Sequence, residues 1–251
     1  MEIRDFFREN KKVAIAFSGG TDSAYLLHEA AEAGADVYAY LVKSEFQPSR
    51  EIEDAERVIR SLRGKNIKFK VIPVSVLDDA AITLNGEDRC YHCKKKILSV
   101  IAKEAAKDGC HVVADGTNAS DPEDERPGMR ALSELGVRSP LREAGICKNE
   151  IRRESGKAGL FTADKPAYAC LATRICSGEE ITSDKLRITE KAEDFLYGLG
   201  LRDFRVRLSG RTAKIQVRGE QFDLVWSNRE KIVSELKKYY DGIMLDMEER
   251  R

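Results

Sequence analysis

Two groups of residues in this sequence have types and spacings that could do chemistry. The first is the hexapeptide S-G-G-T-D-S at residues 18–23, which directly follows an apolar run at residues 13–17. Glycines permit a tight turn and the close approach of a ligand. The helix predicted to follow at residues 22–33 offers unpaired N–H groups to an anion. An apolar strand, a glycine turn and a helix start together predict a phosphate-binding loop.

The loop differs from two common phosphate-binding patterns. It lacks the G-x-x-x-x-G-K-S/T of Walker-type sites and the G-x-G-x-x-G of dinucleotide sites. An ordinary strand-to-helix turn, capped by Asp22 or Ser23, is the alternative interpretation. The full hexapeptide resembles the PP-loop of ATP pyrophosphatases, which split ATP between its α- and β-phosphates. The resemblance implies that the loop holds pyrophosphate while AMP is transferred, through Ser18, Gly19, Gly20, Thr21, Asp22 and Ser23.

The second group is formed by cysteines. The chain has six, and since no export signal precedes them, a disulfide framework is not expected. Cys90 and Cys93 form a C-x-x-C pair before a helix predicted at residues 94–107. Structural zinc normally needs a second such pair, which the sequence lacks, while a thioredoxin-like redox pair stays an alternative. Three thiolates from separate segments, leaving one iron open, would suit an iron–sulfur cluster that handles a substrate.

The remaining cysteines differ in context. Cys170 lies in a segment at residues 165–174 that contains Pro166 and ends in Arg174, whose guanidinium could hold a phosphate or carboxylate. A buried core position is the favoured interpretation of Cys110 and Cys147, because cysteine is among the most buried residue types.

The elements that must position these residues alternate between strand and helix. Apolar runs at residues 13–17, 36–42 and 69–74 are separated by amphipathic segments, which predicts parallel βαβ units and a doubly wound α/β sheet. Ligands bind at the carboxyl ends of the strands in such sheets, where Ser18 would lie. The character changes near residue 178. We therefore predict a PP-loop domain at residues 1–178 and a small α+β domain at residues 179–251, which serves as a substrate lid or in oligomerisation.

Composition narrows the classes of function. The 251 residues carry 43 basic and 43 acidic side chains, so the formal net charge is zero. Many nucleic-acid-binding proteins carry a strong basic excess, and its absence favours a small substrate. No apolar run approaches the ~20 residues that a membrane span needs. The N-terminus has no hydrophobic signal region, which predicts a cytoplasmic protein.

Seven motifs, in order, resemble those of the LarE family of ATP-dependent sulfur transferases. They are S-G-G-T-D-S, E-F-Q-P-S-R-E, D-R-C-Y-H-C-K, A-D-G-T-N-A-S-D, E-R-P-G, R-S-P-L and A-C-L-A-T-R. The resemblance covers nearly the whole chain. It implies that ATP, with Mg²⁺, adenylylates a carboxylate of pyridinium-3,5-biscarboxylic acid mononucleotide, which sulfur then converts to a thiocarboxylate. This is a step in the biosynthesis of a nickel-pincer nucleotide cofactor.

The family contains two branches with different sulfur sources. In one branch a single cysteine, matching Cys170, gives up its own sulfur. In the other, three cysteines hold a [4Fe-4S] cluster that delivers a bound sulfide. Because the single-cysteine branch lacks C-x-x-C, the resemblance assigns this chain to the cluster branch, with Cys90, Cys93 and Cys170 as ligands. Cys176 replaces a proline common in the single-cysteine branch and is a weaker ligand candidate; a contribution from Cys147 stays open.

The resemblance also extends to residues that would bind the substrate. Arg205 and Arg207 match substrate-binding arginines, and their alternation on a strand places both on one face. Thr173 and Arg174 match a contact to the substrate phosphate, with Arg174 and Asp22 beside Cys170 as catalytic candidates. Glu193 matches an acidic residue near the site, although the sequence alone favours an exposed helix glutamate.

Two other functions stay open at this point. A PP-loop enzyme that thiolates tRNA could also use three cysteines and a [4Fe-4S] cluster, although such enzymes usually carry further cysteine pairs or a basic surface. A non-catalytic nucleotide-binding module with structural cysteines is the other. The resemblance implies a homo-oligomer of hexameric form and a small nucleotide substrate; the source of sulfide is not indicated.

Overall fold

The computed structural model describes residues 2–62, 64–122, 127–166 and 168–250. Its helices are α1 Ile3–Glu9, α2 Thr21–Glu32, α3 Ser49–Ser61, α4 Ala80–Thr83, α5 Arg89–Lys107, α6 Pro127–Glu134, α7 Pro140–Glu143, α8 Lys148–Lys157, α9 Ser183–Gly198, α10 Phe222–Ser227 and α11 Arg229–Leu236. Its strands are β1 Lys12–Ala16, β2 Asp36–Lys43, β3 Ile67–Pro73, β4 Val113–Asp115, β5 Arg205–Ser209, β6 Thr212–Gln216 and β7 Gly242–Leu245. Glu125 and Arg126 of the E-R-P-G motif lie outside the described residues.

The larger sheet is parallel throughout, in the order β3-β2-β1-β4. Strand β1 lies between β2 and β4, with Ala14 opposite Tyr38 on one side and Val113 on the other. The chain therefore moves outward in one direction through β2 and β3 and returns to the other side of β1 for β4. Such a reversal of strand order leaves a crevice beyond the carboxyl ends of β1 and β4.

Alternate residues of the central strands are buried on opposite faces of this sheet. Val13 and Ile15 pack in one apolar cluster with residues of α1, α2 and α8, such as Phe6, Leu26 and Ile151. Ala14 belongs instead to a cluster with residues of α5 and α6. Because side chains alternate along a strand, helices cover both faces. The prediction of a doubly wound α/β sheet is confirmed.

Several predicted element boundaries differ from the structure. The prediction that Cys90 and Cys93 precede their helix is wrong, because α5 begins at Arg89 and contains both. Helix α10 was not predicted. Helix α9 spans Ser183–Gly198 within the region predicted as a small α+β domain.

The chain divides into two compact units. Unit 1 comprises Met1–Val76 and Asp88–Ala167, and unit 2 comprises Leu77–Glu87 and Tyr168–Arg251. In unit 2, β5 and β6 are antiparallel while β6 and β7 are parallel, giving a small mixed sheet packed on α9, α10 and α11. The fold class of this region, a small α+β unit, is as predicted. The domain boundary after residue 178 stays a prediction.

Among the described residues, no helix combines the length and the apolar character needed to cross a membrane.

Candidate functional site

The segment after β1, residues 17–23, forms the predicted turn and is called the phosphate loop below. Gly19 has φ +76°, and a Cβ there would lie 2.7 Å from the Cβ of Ala55. Both the backbone conformation and the space therefore require glycine. Gly20 is the N-cap of α2 and offers no side chain to cap it. The first N–H groups of α2 are left to other acceptors, as an anion site requires.

The hydroxyl groups of the phosphate loop fall into two kinds. Ser18 and Ser23 make long hydrogen bonds within the loop: their hydroxyls are 3.1 Å apart, and the Gly20 amide donates to Ser18 Oγ at 3.4 Å. Thr21 instead donates a buried hydrogen bond to the Thr162 carbonyl at 2.8 Å. Thr21 thus anchors the start of α2, while the two serine hydroxyls hold the loop weakly.

Asp22 forms an ion pair that sequence reasoning missed. Lys148, the first residue of α8, donates to both carboxylate oxygens at 2.6 and 2.5 Å. Its backbone amide donates to Ser120 Oγ at 2.9 Å, which ties the helix start to the loop after β4. The partners are 126 residues apart, so no local pattern points to the pair. A carboxylate and an ammonium group consequently lie together at the phosphate loop.

A second polar cluster lies at the carboxyl end of β4, within the A-D-G-T-N-A-S-D motif at residues 114–121. Asp115 is buried and accepts hydrogen bonds from Ser139 Oγ at 2.7 Å, Thr117 Oγ1 at 2.7 Å and Lys94 Nζ at 3.2 Å. The next residue, Gly116, approaches the phosphate loop so closely that a Cβ would lie 2.9 Å from the Ser23 nitrogen. The ends of β1 and β4 therefore meet directly at the crevice.

The C-x-x-C pair lies in the first turn of α5, called the cysteine turn below. Cys90 is exposed and Cys93 is half-buried. Residues three apart on a helix are neighbours on its surface, so the two thiols share one side. Two accessible thiol groups on one helical turn match the donor type that iron–sulfur clusters use. As donors, these residues fit such a group.

The other cysteines correct one expectation. Cys110 is buried, and burial raises the pKa of its thiol, in agreement with a core position. Cys147 is exposed at the N-cap of α8, next to Lys148, so its interpretation as a core residue is wrong. Cys176 is exposed in unit 2, where its Sγ lies 3.3 Å from the Leu208 carbonyl oxygen.

The predicted cluster ligands are divided between the two units. Cys90 and Cys93 belong to unit 1, whereas Cys170 and Cys176 belong to unit 2. Considering each unit by itself, the described residues contain no group of three or more His, Cys, Asp or Glu side chains arranged for a metal.

In unit 2, Cys170 precedes a short 3₁₀ helix, Leu171–Arg174. The Cys170 carbonyl accepts hydrogen bonds from the Thr173 amide at 3.0 Å and the Thr173 hydroxyl at 2.8 Å. The cysteine is thus held through its backbone, and its thiol is half-buried. Thr173 therefore helps to position the backbone of Cys170 through these two hydrogen bonds.

Arg174 is almost wholly buried and pairs with Glu193 of α9. Its Nε and Nη2 donate to the two Glu193 oxygens at 2.8 and 3.1 Å, and Nη1 donates to the Ala169 carbonyl at 2.8 Å. Burial is the largest single influence and lowers the pKa of Arg174, but the hydrogen bond to Glu193 and the negative charge of that carboxylate together raise it above its ordinary value. The expectation of an exposed Glu193 is wrong, because only 6% of it is exposed.

Glu193 has two further partners that join it to the rest of unit 2. Tyr168 donates its hydroxyl to Oε2 at 2.5 Å, and the Val206 amide of β5 donates to Oε1 at 3.0 Å. Burial and the nearby charge of Glu193 raise the pKa of Tyr168. We call Tyr168, Arg174, Glu193 and Arg205 the arginine cluster.

Arg205 and Arg207 lie on one face of β5, as predicted, and both approach the segment containing Cys170. Arg205 is buried with its guanidinium 5.0 Å from the centre of the Tyr168 ring. Burial, then repulsion from Arg174, lowers the pKa of Arg205 to about 10. Arg207 is exposed and donates to the Thr173 carbonyl at 2.8 Å. The cluster thus places two guanidinium groups beside the Tyr168 ring, at 4.6 Å for Arg174 and 5.0 Å for Arg205.

The parallel sheet, the glycine turn and the helix start at the strand reversal define an α/β protein of the PP-loop type. No family model matches the chain. Its relatives include an uncharacterized protein of Synechocystis sp., 36% identical over 87% of this chain and 81% of the relative. An uncharacterized protein of Methanocaldococcus jannaschii is 30% identical over 92% of this chain and 87% of the relative.

A third relative carries a functional name. The pyridinium-3,5-bisthiocarboxylic acid mononucleotide synthase of Lactiplantibacillus plantarum is 33% identical over 84% of this chain and 76% of the relative. The chain belongs to the LarE family.

Proposed function

We propose that this protein is an ATP-dependent sulfur transferase that forms AMP and pyrophosphate. It adenylylates a carboxylate of pyridinium-3,5-biscarboxylic acid mononucleotide and converts that carboxylate to a thiocarboxylate, in the biosynthesis of the nickel-pincer nucleotide. The observation that carries the proposal is the 33% identity to the L. plantarum synthase over most of both chains. The phosphate loop and the cysteine turn support the ATP and sulfur parts of it.

In the proposed activation step, the N–H groups at the start of α2 and the Ser18 and Ser23 hydroxyls bind the polyphosphate of ATP. Asp22 is placed to hold Mg²⁺, since carboxylate oxygens suit this ion. Lys148 then exchanges its contact with Asp22 for one with the phosphates. A cavity of about 370 Å³ at the carboxyl ends of β2 and β3, lined by Lys43, Ser44 and Val74 among others, is the proposed adenosine site.

The chemistry of the two half-reactions balances. A substrate carboxylate oxygen attacks the α-phosphorus of ATP, the bond to the β-phosphate oxygen breaks, and pyrophosphate leaves. A sulfur nucleophile then attacks the activated carbonyl carbon, and AMP leaves with the original carboxylate oxygen. Activation is needed because an oxide ion is a poor leaving group and AMP is a good one.

For the sulfur half of the reaction, we propose that the thiolates of Cys90, Cys93 and Cys170 hold a [4Fe-4S] cluster. When bound, this group would supply the sulfur nucleophile at the level of sulfide. The chain contributes the two thiols of the cysteine turn and the thiol of Cys170, whose carbonyl accepts a hydrogen bond from the Thr173 hydroxyl. Cys176 and Cys147 are exposed thiols and remain secondary ligand candidates.

We propose that the arginine cluster and Arg207 bind the phosphate of the substrate nucleotide. The place of Arg205 beside the Tyr168 ring and the exposed position of Arg207 at the Thr173 carbonyl support this role, with Arg205 and Arg207 as the direct contacts. Nη1, Nη2 and Nε of Arg174 donate to protein acceptors, so Arg174 acts by positioning Cys170 and Thr173, and Glu193 acts by holding Arg174. A homo-oligomer, for which the family suggests a hexamer, is part of the proposal.

Iron and acid-labile sulfide analysis of protein prepared anaerobically tests the sulfur source. We expect about four of each per chain, and loss of the cluster absorbance in Cys90→Ala, Cys93→Ala and Cys170→Ala proteins. A cluster that persists in Cys170→Ala would contradict the three-ligand assignment. Absence of iron with loss of the Cys170 sulfur after one turnover would favour the sacrificial branch. Salt-sensitive binding to bulk tRNA, with tRNA thiolation, would favour the alternative substrate.

The Asp22→Ala variant tests the activation step. AMP and pyrophosphate formation should fall by a factor on the order of a hundred or more, because the proposed Mg²⁺ contact and the partner of Lys148 are lost together. Iron content should stay at the wild-type level. Adenylylation that survives this substitution would show that the nucleotide binds elsewhere.

A further inference from the structure

We propose that Lys94 and Asp115 link the cysteine turn to the phosphate loop, so that Mg·ATP binding and the reactivity of Cys93 depend on each other. The inference rests on the proposed function in one respect, namely that the phosphate loop binds Mg·ATP. It adds two positioning residues and a thermodynamic coupling between the two halves of the reaction.

The first part of the link starts at the cysteine turn. Lys94 directly follows Cys93, and its ammonium group lies 3.2 Å from Asp115 Oδ2. Its stem passes close to Gly128 of α6, where a Cβ would lie 3.1 Å from Lys94 Cδ. The Lys94 side chain is 32% exposed and that of Asp115 only 10%. The contact therefore joins an accessible helix turn to a buried strand end.

Asp115 itself is firmly held. Ser139 Oγ and Thr117 Oγ1 each donate to it at 2.7 Å, and the Thr117 amide donates at 3.2 Å. Among these donors and Lys94, only Lys94 carries a charge. A buried carboxylate depends strongly on such a cation. Among these partners of Asp115, Lys94 is therefore the one whose position can change when the nearby charge changes.

The second part of the link reaches the phosphate loop. Gly116 follows Asp115 and contacts α2 so tightly that a Cβ would lie 2.9 Å from Ser23 N and 3.1 Å from Ser23 Cα. An anion bound at the start of α2 would therefore lie at the helix turn that contacts the residue after Asp115. Its negative charge increases the need of Asp115 for a cation. Lys94 is drawn closer, and the first turn of α5 becomes less mobile.

The coupling can be measured without a loaded cluster. Metal-free, full-length protein is treated with iodoacetamide, and the alkylation rate of each cysteine is followed by mass spectrometry of its peptide, with and without saturating Mg·ATP. In the wild type, Mg·ATP should slow alkylation of Cys93 about fivefold or more, the lower end of ordinary coupling between sites. In Lys94→Met the slowing should disappear, and in Lys94→Arg it should be largely restored.

Lys103→Met is the matched control, because Lys103 is exposed on the same helix and the substitution changes the charge equally. It should behave as the wild type. Equal slowing in Lys94→Met would mean that ATP simply shields Cys93, and would overturn the link, as would an unchanged or faster rate in the wild type while Mg·ATP binds by calorimetry. If Mg·ATP does not bind at all, the proposed function fails instead.

Discussion

The phosphate loop in unit 1 and the arginine cluster in unit 2 both fix polar groups in place, but by different means. The loop depends on backbone shape: Gly19 has positive φ and no space for a side chain, and the serine hydroxyls make hydrogen bonds of 3.1–3.4 Å. The cluster depends on buried charges, joined by hydrogen bonds of 2.5–3.1 Å around Glu193. The phosphate loop leaves its N–H groups available to a ligand. In the arginine cluster, most donors already form hydrogen bonds to protein acceptors.

This difference separates the substitutions that each region tolerates. Adding a methyl group at Gly19 should destabilise the phosphate loop, because its Cβ would clash with Ala55. Removing charge without volume should damage the arginine cluster, because a buried ion loses its partner. The following three substitutions test this contrast, in order of expected effect.

Glu193→Gln should have the largest effect. It keeps the shape of the side chain but leaves the buried Arg174 without its carboxylate, so we expect unit 2 to lose about 4 kcal/mol of stability. Urea unfolding followed by Trp226 fluorescence measures the change. The control is Asp184→Asn on the same helix, which breaks an exposed ion pair with Arg187 and should leave the unfolding midpoint almost unchanged. Equal effects of the two substitutions would contradict the contrast.

Gly19→Ala should cost about 3 kcal/mol, because it combines left-handed strain with a Cβ placed against Ala55. Gly34→Ala is the matched control: Gly34 has φ +79°, yet a Cβ there meets nothing within 4 Å, so only the strain of about 1 kcal/mol applies. Denaturant unfolding and Mg·ATP calorimetry should separate the two variants. If Gly34→Ala proved as damaging as Gly19→Ala, shape complementarity would not be what fixes the loop.

Tyr168→Phe should have the smallest effect, about 1.5 kcal/mol, because it removes one hydrogen bond to Glu193 and keeps the ring between the guanidinium groups. We also expect the KM for the nucleotide substrate to rise more than kcat falls, since the ring and Arg205 remain but are less firmly placed. A loss of stability as large as that of Glu193→Gln would show that the ring packing, rather than the charge network, holds the cluster.

The sequence was sufficient to predict the alternation of strands and helices and the glycine turn between β1 and α2. The apolar runs of β1 and β2 and the glycine pair are local features. Neighbouring residues were enough to predict the strands and the turn. The burial of Glu193 could not be read in this way, because its helix is amphipathic and its partners Arg174 and Val206 lie on other elements.

Pairs between distant residues were missed for the same reason. Lys148 meets Asp22 across 126 residues, and Lys94 meets Asp115 across 21. Cys147 was predicted to be buried because cysteine is among the most buried residue types. In the structure it is exposed, since it lies at the N-cap of α8. The start of α5 was predicted at residue 94, whereas the helix begins at Arg89 and includes Cys90 and Cys93.

The division of unit 2 into two stretches of sequence affects the order in which the protein can fold. Asn85, in the left-handed conformation at φ +56° and buried, donates to the Cys176 carbonyl at 2.8 Å across 91 residues. During synthesis, this contact cannot form until residue 176 has left the ribosome. Loop closure over such a distance is slow compared with the local contacts of β1, α2 and β2. We therefore expect the parallel sheet to gain protection from hydrogen exchange before unit 2 closes around Asn85.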